Sequence, residues 1–232
     1  MTARRRRRAA RDQAESTFNI ILEELLALVP YARAAALVDF EGETVDYAGD
    51  LDPYELRVAA ATLQLVFADI RPLAQLGSAH QLNACMGRAG YLLRILDPSY
   101  SLLVVLRKLG TFVVSQRLLL EIEARILEEA GLPIVRKPSS FRVDVDTAGS
   151  GAKARPARVR PPFDPFAEAE PPWVPLEVLG SHVGTAPGEK AYRVRLATGA
   201  ELNLLRDATK LWFSEEPIQA LLGAPAATRP AV

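Results

Sequence analysis

The chain has 232 residues, and its 28 basic side chains (Lys and Arg) balance 28 acidic ones (Asp and Glu), so the formal net charge is zero. Apolar residues make up 49% of the sequence, which is typical of a globular protein rather than a disordered or fibrous one. One cysteine (Cys85) and two histidines (His80 and His182) exclude a disulfide framework, a Cys-rich zinc site and a zinc site of the HExxH type.

The single cysteine also fits a reducing compartment, where thiols are not paired for stability. No apolar stretch has the length and lack of charge of a signal peptide or a transmembrane helix, and the segment from Phe18 to Val29 contains Glu23 and Glu24. We therefore expect a soluble, cytoplasmic protein with no transmembrane segment.

Arginine dominates the first residues of the chain. Residues 1–11 carry six arginines, five of them consecutive from Arg4 to Arg8, and no acidic residue. Like charges this close repel each other and stay hydrated, so we expect residues 1–15 to form a disordered arm. Clustered guanidinium groups could pair with phosphates of nucleic acid or of an anionic membrane, but nothing in the sequence predicts specific reading of bases. A solubilising arm, or residues upstream of the true start codon, is an equally open interpretation.

Residues 16–133 show the periodicity of a folded domain, beginning with a helix and a hairpin. Apolar residues at helical spacing follow Ser16 and Thr17, either of which can cap a helix, and Pro30 ends that helix. The apolar run 34–40, the turn Glu41-Gly42 and the run 44–48 then predict an antiparallel β-hairpin.

The start of the second helix has the strongest local signal in the sequence. Residues 52–55, Asp-Pro-Tyr-Glu, supply a side-chain acceptor at the cap, a proline at the first helical position and a glutamate at the third. The helix is predicted to begin at Pro53 and to be kinked or ended at Pro72. Its buried stripe is predicted to include Leu56, Ala59, Ala60, Leu63, Phe67 and Ile70.

Three further strands and a closing helix complete this domain. Turn-rich residues separate the runs 81–86, 91–96 and 101–106, which predicts a β-meander. The closing helix is predicted from about Phe112 to Ala130, with Gly131 and Pro133 stopping it. Four charged residues at i,i+4 spacing are predicted to face outward: Arg117, Glu121, Arg125 and Glu129.

Residues 134–172 differ in composition from the preceding domain. They contain seven of the chain's 17 prolines and the run Gly149-Ser150-Gly151, which predicts a Pro-rich linker. Phe163 and Phe166 place large apolar side chains in this segment, either to dock on a partner groove or to cover the module that follows.

The C-terminal part of the chain is predicted to be rich in β-structure. Residues 173–222 contain short β runs and a Gly-containing turn at 197–200, so they predict a small β-rich module. A core of this size is marginal, so the module is either a small barrel or a unit that docks on the first domain. The Ala/Pro-rich residues 223–232 predict a disordered tail.

The order helix, two strands, helix, three strands, helix resembles the Roadblock/LC7 family over residues 16–131. Residues 18–25, Phe-Asn-Ile-Ile-Leu-Glu-Glu-Leu, with Val29-Pro30, are similar to that family's first helix and its exit. Residues 35–39, Ala-Ala-Leu-Val-Asp, with Gly42, are similar to its first hairpin, and Gly110 is similar to the position before its last helix.

The resemblance implies an α/β (α+β) fold: a five-stranded antiparallel sheet with one helix on one face and two on the other. It also implies a homodimer whose sheets join through a middle strand. Members act as partners of small Ras-like GTPases, as scaffolds or as subunits of motor complexes, and they are not catalysts themselves. A member that accelerates GTP hydrolysis does so by reshaping the switch regions of its partner, since that reaction depends mostly on positioning and charge stabilisation.

The second helix carries the candidate partner-binding residues. On the side opposite its apolar stripe it is short of charge, which favours contact with a partner or twin subunit as much as packing within the protomer. The candidates are Arg57, Ala61, Gln64, Leu65 and Ala68. For the dimer strand that the resemblance implies, the candidates are Gln81, Asn83 and Cys85.

The sequence lacks the common motifs of catalysis and nucleotide binding. Residues 184–190 contain glycines and a lysine without the spacing of a GxxxxGK[ST] loop, and neither GxSxG nor GxGxxG occurs. Cys85 lies in an apolar strand, where a thiol usually packs as a small hydrophobe, and His80 has no second ligand nearby in sequence. We expect no catalytic residue, no cofactor and no metal site.

Together these patterns predict a non-enzymatic homodimer that binds a small Ras-like GTPase and modulates its GTP cycle, as an activator or a scaffold. One alternative is a dimeric protein–protein scaffold without a GTPase partner, and another is association with nucleic acid or membrane through the Arg-rich arm. Binding that depends on the nucleotide favours the first, and partners indifferent to nucleotide favour the second. Steep salt dependence that is lost when residues 1–11 are deleted favours the third.

Overall fold

The computed structural model describes residues 12–73, 79–87, 89–107, 114–149, 154–163, 169–184 and 186–221. The chain divides into two compact units, Met1–Lys137 and Pro138–Val232. Each unit has its own strands and its own buried apolar core.

The first unit is a five-stranded antiparallel sheet with helices on both faces. Its strands are ordered β2-β1-β5-β4-β3, so β2 and β3 form the two edges. The predicted α+β fold is thereby confirmed. In chain order the elements are α1 (Thr17–Leu28), β1 (Ala32–Asp39), β2 (Thr44–Gly49), α2 (Pro53–Ile70), β3 (Gln81–Met86), β4 (Ala89–Ile95), β5 (Tyr100–Arg107) and α3 (Gln116–Glu129).

Side-chain caps fix where the three helices begin. The Ser16 hydroxyl accepts a backbone N–H from the first turn of α1, and the Ser115 hydroxyl does the same for α3. At α2 the Asp52 carboxylate accepts two backbone N–H groups at 3.0 and 3.3 Å, and Pro53 occupies the first helical position. These bonds satisfy amides that have no partner inside a helix. The predicted start of α2 is confirmed, and α1 uses the first of its two candidate caps.

Different helices cover the two faces of the sheet. On one face, alternate residues of β1 (Ala34, Ala36 and Val38) pack in one cluster with the buried stripe of α2. On the other face, α3 is bound to β4 through the Glu123–Arg94 ion pair, and Glu24 of α1 pairs with Arg125 of α3 at 2.6 Å. One helix therefore lies on one face and two on the other, as the resemblance implies.

The β1–β2 hairpin requires glycine at two positions. Gly49 has a φ of 112°, and a Cβ added there would lie 2.3 Å from the carbonyl oxygen of Arg33, which no side chain can tolerate. Gly42, in the turn, has a φ of 89°, and a Cβ there would lie 3.2 Å from the Cα of Ala61. The tip of the hairpin therefore lies directly against α2.

The second unit is a closed barrel of six antiparallel strands, ordered β10-β11-β6-β7-β8-β9. Its core includes Val159, Val194 and Leu204, all fully buried. The turn predicted at residues 197–200 is present, with Gly199 at a φ of 86°. The elements are β6 (Phe141–Ala148), β7 (Arg155–Arg160), β8 (Val174–Val183), β9 (Lys190–Leu196), β10 (Glu201–Arg206), β11 (Trp212–Ser214) and α4 (Ile218–Leu221).

The barrel begins inside the predicted linker 134–172, so that prediction is wrong for two segments. Residues 141–148 and 155–160 are β6 and β7, which pair with each other and with β11 and β8. Over residues 143–146, β6 alternates valines that pack in the core with aspartates that pair with arginines of β7. This alternation outweighs the prolines and glycines around it. The ion pairs are Asp144–Arg160 and Asp146–Arg158.

The predicted end of the closing helix is confirmed, but its predicted start is wrong. Helix α3 begins at Gln116 rather than at Phe112, because Ser115 caps it, and Gly131 at a φ of 69° follows its end as predicted. Several predictions lie outside the described residues and are not tested. These concern residues 1–11 of the predicted arm 1–15, Gly110, Phe166 and the tail 223–232.

Candidate functional site

A line of exposed apolar side chains runs along the solvent side of α2. Tyr54, Val58 and Leu65 lie opposite the buried stripe, and 74%, 47% and 68% of their surface is exposed. Val66, further around the helix, is 42% exposed. A solvated helix face normally carries charged or polar residues, so this apolar row is a candidate contact surface. We call these four residues the α2 apolar surface.

A groove of about 470 Å³ continues the α2 apolar surface toward the edge of the sheet. Tyr54, Val58 and Thr62 line its helix side, and Met86 and Tyr91 line its strand side. Met86, at the end of β3, is 49% exposed. The groove therefore connects the α2 apolar surface with the edge strand.

Strand β3 borders this groove and forms one edge of the sheet. It pairs with β4 along Gln81–Met86 and with no second strand among the described residues. Such an edge offers backbone N–H and C=O groups to an added strand. Of the three dimer-strand candidates, Asn83 and Cys85 are exposed and Gln81 is half-buried. The prediction that Cys85 packs as a buried hydrophobe is wrong, because its strand is an edge and its side chain faces outward.

Arg57, the first candidate on α2, is held in an ion pair. Its guanidinium contacts both carboxylate oxygens of Asp12, at 2.9 and 3.0 Å, and the Tyr47 hydroxyl donates to the same carboxylate at 2.6 Å. The hydrogen bond from Arg57, followed by that from Tyr47, holds the pKa of Asp12 below its ordinary value. The ion pair attaches Asp12, the first described residue, to the flank of α2.

Two more of the α2 candidates are engaged within the unit, and two are exposed. Ala61 lies against Gly42 of the hairpin, and the Gln64 side-chain oxygen accepts a hydrogen bond from the Ser101 hydroxyl at 3.1 Å. Leu65 and Ala68 are both exposed. The five candidates therefore do not form one open surface, since three of them attach α2 to its neighbours.

The sequence prediction missed Tyr54, Val58 and Val66, although the helical spacing of Tyr54 and Val58 indicates that they lie on the exposed side. On a helical wheel, Tyr54, Val58 and Leu65 fall within about 40° of each other, directly opposite the centre of the buried stripe. Four of the five predicted residues lie to one side of that line, where the hairpin and β5 approach the helix, and Leu65 lies on it. Periodicity identified the buried side of α2 correctly but not which flank its neighbours cover.

A buried ionic network supports β3 from behind. The Arg94 guanidinium, only 2% exposed, donates to Glu123 at 2.8 Å, to Gln81 at 3.0 Å and to Gln116 at 3.1 Å. Glu123 also accepts a hydrogen bond from Arg136 at 2.7 Å. Burial lowers the pKa of Arg94, and the bond to Glu123 opposes that effect. The network links the first residue of β3 to α3 across β4, which fixes the position of the edge strand.

The chemistry of this surface is that of protein contact, because it combines apolar area with open backbone groups. Across the described ranges, no three His, Cys, Asp or Glu side chains cluster closely enough to share a metal ion. No helix in those ranges is both long and apolar enough to span a bilayer.

Solved structures similar to this chain include Roadblock/LC7 domains, the family that the sequence resembles. A Roadblock/LC7 domain from Streptomyces avermitilis is 14% identical, with 50% of this chain and 98% of that chain covered and a TM-score of 0.42. MglB from Myxococcus xanthus is 15% identical, with 51% and 98% covered and a TM-score of 0.42. The gliding protein MglB from Thermus thermophilus is 24% identical, with 50% and 95% covered and a TM-score of 0.41. No protein-family model and no curated protein matches the chain.

Proposed function

We propose that this protein is a non-enzymatic homodimer of the bacterial cytoplasm that binds a small Ras-like GTPase and modulates its GTP cycle, as an activator or a scaffold. The observation that carries the proposal is the continuity of the α2 apolar surface with the open β3 edge. The Roadblock/LC7 resemblance of residues 16–131 implies the same class of partner. The single cysteine supports a reducing compartment.

In this proposal, β3 joins two copies of the chain. Antiparallel pairing of β3 with its counterpart would give the open backbone groups partners and double the width of the sheet. It would also cover Met86, whose large apolar side chain is otherwise half in water. Both effects favour association, because each removes an exposed edge or apolar area from solvent.

The GTPase would be bound through the rest of the α2 apolar surface. Tyr54 and Leu65 offer large apolar anchors, which are typical of the centre of a protein interface. Arg57, the charged candidate on this helix, is engaged by Asp12. The proposed effect on GTP hydrolysis is therefore to fix the partner's switch regions by packing, rather than to add a charged group to its active site.

The dimer is tested by placing a charge on β3. Asn83→Lys would bring two lysines close together across a two-fold axis, so we expect a monomer in size-exclusion chromatography with light scattering. Val45→Lys, at a 40% exposed position on the opposite edge strand, is the matched control and should stay dimeric. A wild-type protein that is monomeric at high concentration would overturn the dimer.

The GTPase partner is tested with candidate Ras-like GTPases loaded with GDP or with a non-hydrolysable GTP analogue. We expect binding that differs between the two states and that Leu65→Asp abolishes. Val135→Asp, at a 61% exposed position after α3, is the matched control and should bind normally. A dimer whose partners bind regardless of nucleotide would instead support the scaffold alternative.

A further inference from the structure

The barrel of the second unit has one incomplete seam. Strands β7 and β8 pair only through Arg158–Pro175 and Val159–Val174. From Leu176 to Val183, β8 is paired with β9 on one side, and on the other side no described strand pairs with it. Over this stretch, β8 therefore has a hydrogen-bonded strand partner on one side only within the described part of the chain.

A groove of about 730 Å³ borders the last three residues of this edge, 181–183. Ala154 and Arg155, at the start of β7, line one side, and residues 181–183 of β8 with Lys190 of β9 line the other. Val183 is 83% exposed, more than any other large apolar side chain in the described ranges. An open edge, a groove and an uncovered apolar side chain occur together, which is the geometry that accepts an added strand.

Two cations of this groove have no acidic partner among the described residues. Arg155 and Lys190 are both exposed, and neither forms an ion pair with any described residue. Lys190 lies directly opposite Arg206 across β9 and β10, and Arg206 Nε is buried without a hydrogen-bond partner in the described part of the chain. Like charges facing each other across strands are destabilising, and an anionic ligand would relieve this repulsion. Glu189 is turned away, since its carboxylate accepts the backbone N–H of Ala186.

These features fit an extended acidic peptide better than a nucleic acid. A strand edge presents alternating backbone donors and acceptors that another extended polypeptide can match in register. Binding of a single-stranded nucleic acid usually depends on exposed aromatic rings that stack on bases. At this end of the barrel Tyr192 and Trp212 are 6% and 8% exposed, so neither ring is available for stacking.

We propose that the β8 edge from Leu176 to Val183 binds an extended acidic peptide of a partner protein as an added strand. The peptide backbone pairs with β8, its carboxylates face Arg155 and Lys190, and one of its apolar side chains covers Val183. This surface belongs to the second unit, and the inference stands independently of the GTPase proposal.

The first test measures fluorescence anisotropy of labelled peptides with the full chain. One peptide alternates glutamate with valine and is long enough to pair with residues 176–183. A second has lysine in place of each glutamate, and a third keeps the glutamates but has proline in place of each valine, which removes backbone donors. We expect the first to bind at least about tenfold more tightly than either of the others. Binding of the second or the third peptide as tight as that of the first, or tighter binding of single-stranded DNA, would overturn the proposal.

The second test locates the site. Arg155→Glu and Lys190→Glu should each weaken binding of the acidic peptide by about tenfold, whereas Lys137→Glu, an exposed position in the first unit, should not change it. Tryptophan fluorescence checks that each variant remains folded, because both tryptophans lie in the second unit. Because β9 already protects some amides of residues 176–183, hydrogen exchange should show added protection only at the amides of this stretch that do not bond to β9, and only when the peptide is bound. Protection of these amides without peptide, or new protection elsewhere, would refute the assignment to this edge.

Discussion

Replacing Glu123 with glutamine tests how the first unit holds its buried charges. The Glu123 side chain is 0% exposed and neutralises Arg94, which is 2% exposed, at a distance of 2.8 Å. Glutamine has nearly the same shape and keeps one accepting oxygen, but it carries no charge. The variant therefore leaves the Arg94 guanidinium buried without its closest counter-charge.

The expected loss follows from the burial of the two partners. Removing one member of a buried ion pair costs about 3–5 kcal/mol, because the remaining charge stays desolvated. We expect Glu123→Gln to lower the free energy of unfolding of the first unit by that amount. Arg136, the second partner, has a side chain that is 27% exposed, so Arg136→Gln should cost only about 1 kcal/mol. The double variant Arg94→Met with Glu123→Leu replaces both buried partners. It should lower the free energy of unfolding by less than Glu123→Gln alone.

The two units can be followed separately in one urea titration. Trp173 and Trp212 both lie in the second unit, whereas the three long helices lie in the first. Far-ultraviolet circular dichroism therefore reports mainly on the first unit, and tryptophan fluorescence on the second. Glu123→Gln should move the dichroism midpoint and leave the fluorescence midpoint unchanged, which provides an internal control.

Two results would refute the reasoning about Glu123. The first is a loss below about 1 kcal/mol for Glu123→Gln, which would mean that water or another group replaces the counter-charge. The second is a double variant less stable than Glu123→Gln. This would mean that the packing of the two charged side chains contributes more to stability than the neutralisation of their charges. Arg136→Gln is the comparison for both cases, because it removes a second partner of the Glu123 carboxylate, and this partner lies where water can reach it.

Two further predictions concern the hairpin and the α2 flank. Gly49→Ala should destabilise the first unit clearly more than the control variant Gly87→Ala. The Cβ added at Gly87 meets nothing within 4 Å, so that variant should lower the free energy of unfolding by only about 1 kcal/mol. Equal losses in unfolding followed by circular dichroism would contradict this prediction. Arg57→Leu should raise the pKa of Asp12 toward its ordinary value, and Tyr47→Phe should raise it less, as measured by NMR titration of the carboxyl carbon. Because this pKa is lowered in the folded state, its stabilising contribution is present above the unfolded pKa and is lost as pH falls through the folded pKa. An unchanged Asp12 pKa in Arg57→Leu would show that another group holds it.

Local chemistry made the first unit largely predictable. The start of α2 at Pro53 and the bounds of β3 at Gln81 and Met86 match the sequence prediction, because a capping sequence and flanking turns define them. The first residue of α3 was misplaced because the prediction included the apolar residues before the cap, Ser115, in the helix. Where one side chain decides a boundary, periodicity alone does not find it.

The barrel was harder to predict because the residues that stabilise its strand pairs lie in separate segments of the sequence. Residues 141–148 alternate correctly for a strand, but their aspartates pair with arginines on β7 that become partners only once the two strands are paired. Composition favoured a linker because prolines and glycines were counted without reference to the alternation between them. Pro156 is accommodated within β7 and is buried there.

For the candidate surface, the sequence prediction and the structure agree on helix α2, strand β3 and Leu65, but the prediction omits Tyr54, Val58 and Val66. Gln64 and Ala61 are uncharged, which is the property that suggested a partner surface, yet one bonds to Ser101 and the other packs on Gly42. An uncharged flank is equally expected where a helix contacts its own hairpin. Only the packing distinguishes that flank from the exposed line of Tyr54 and Val58.

The pairing of β6 with β11 has a consequence for how the chain is made. Val143 and Trp212 are cross-strand partners although about 70 residues separate them along the chain. On the ribosome, all five strands of the first unit, within residues 32–107, emerge before β6, so that sheet can form while the barrel is still being synthesised. The barrel cannot close until residues 212–214 have left the exit tunnel. Until then, β6 and β10 each have an unpaired edge. Neighbouring nascent chains are therefore most prone to misassemble at this stage of translation.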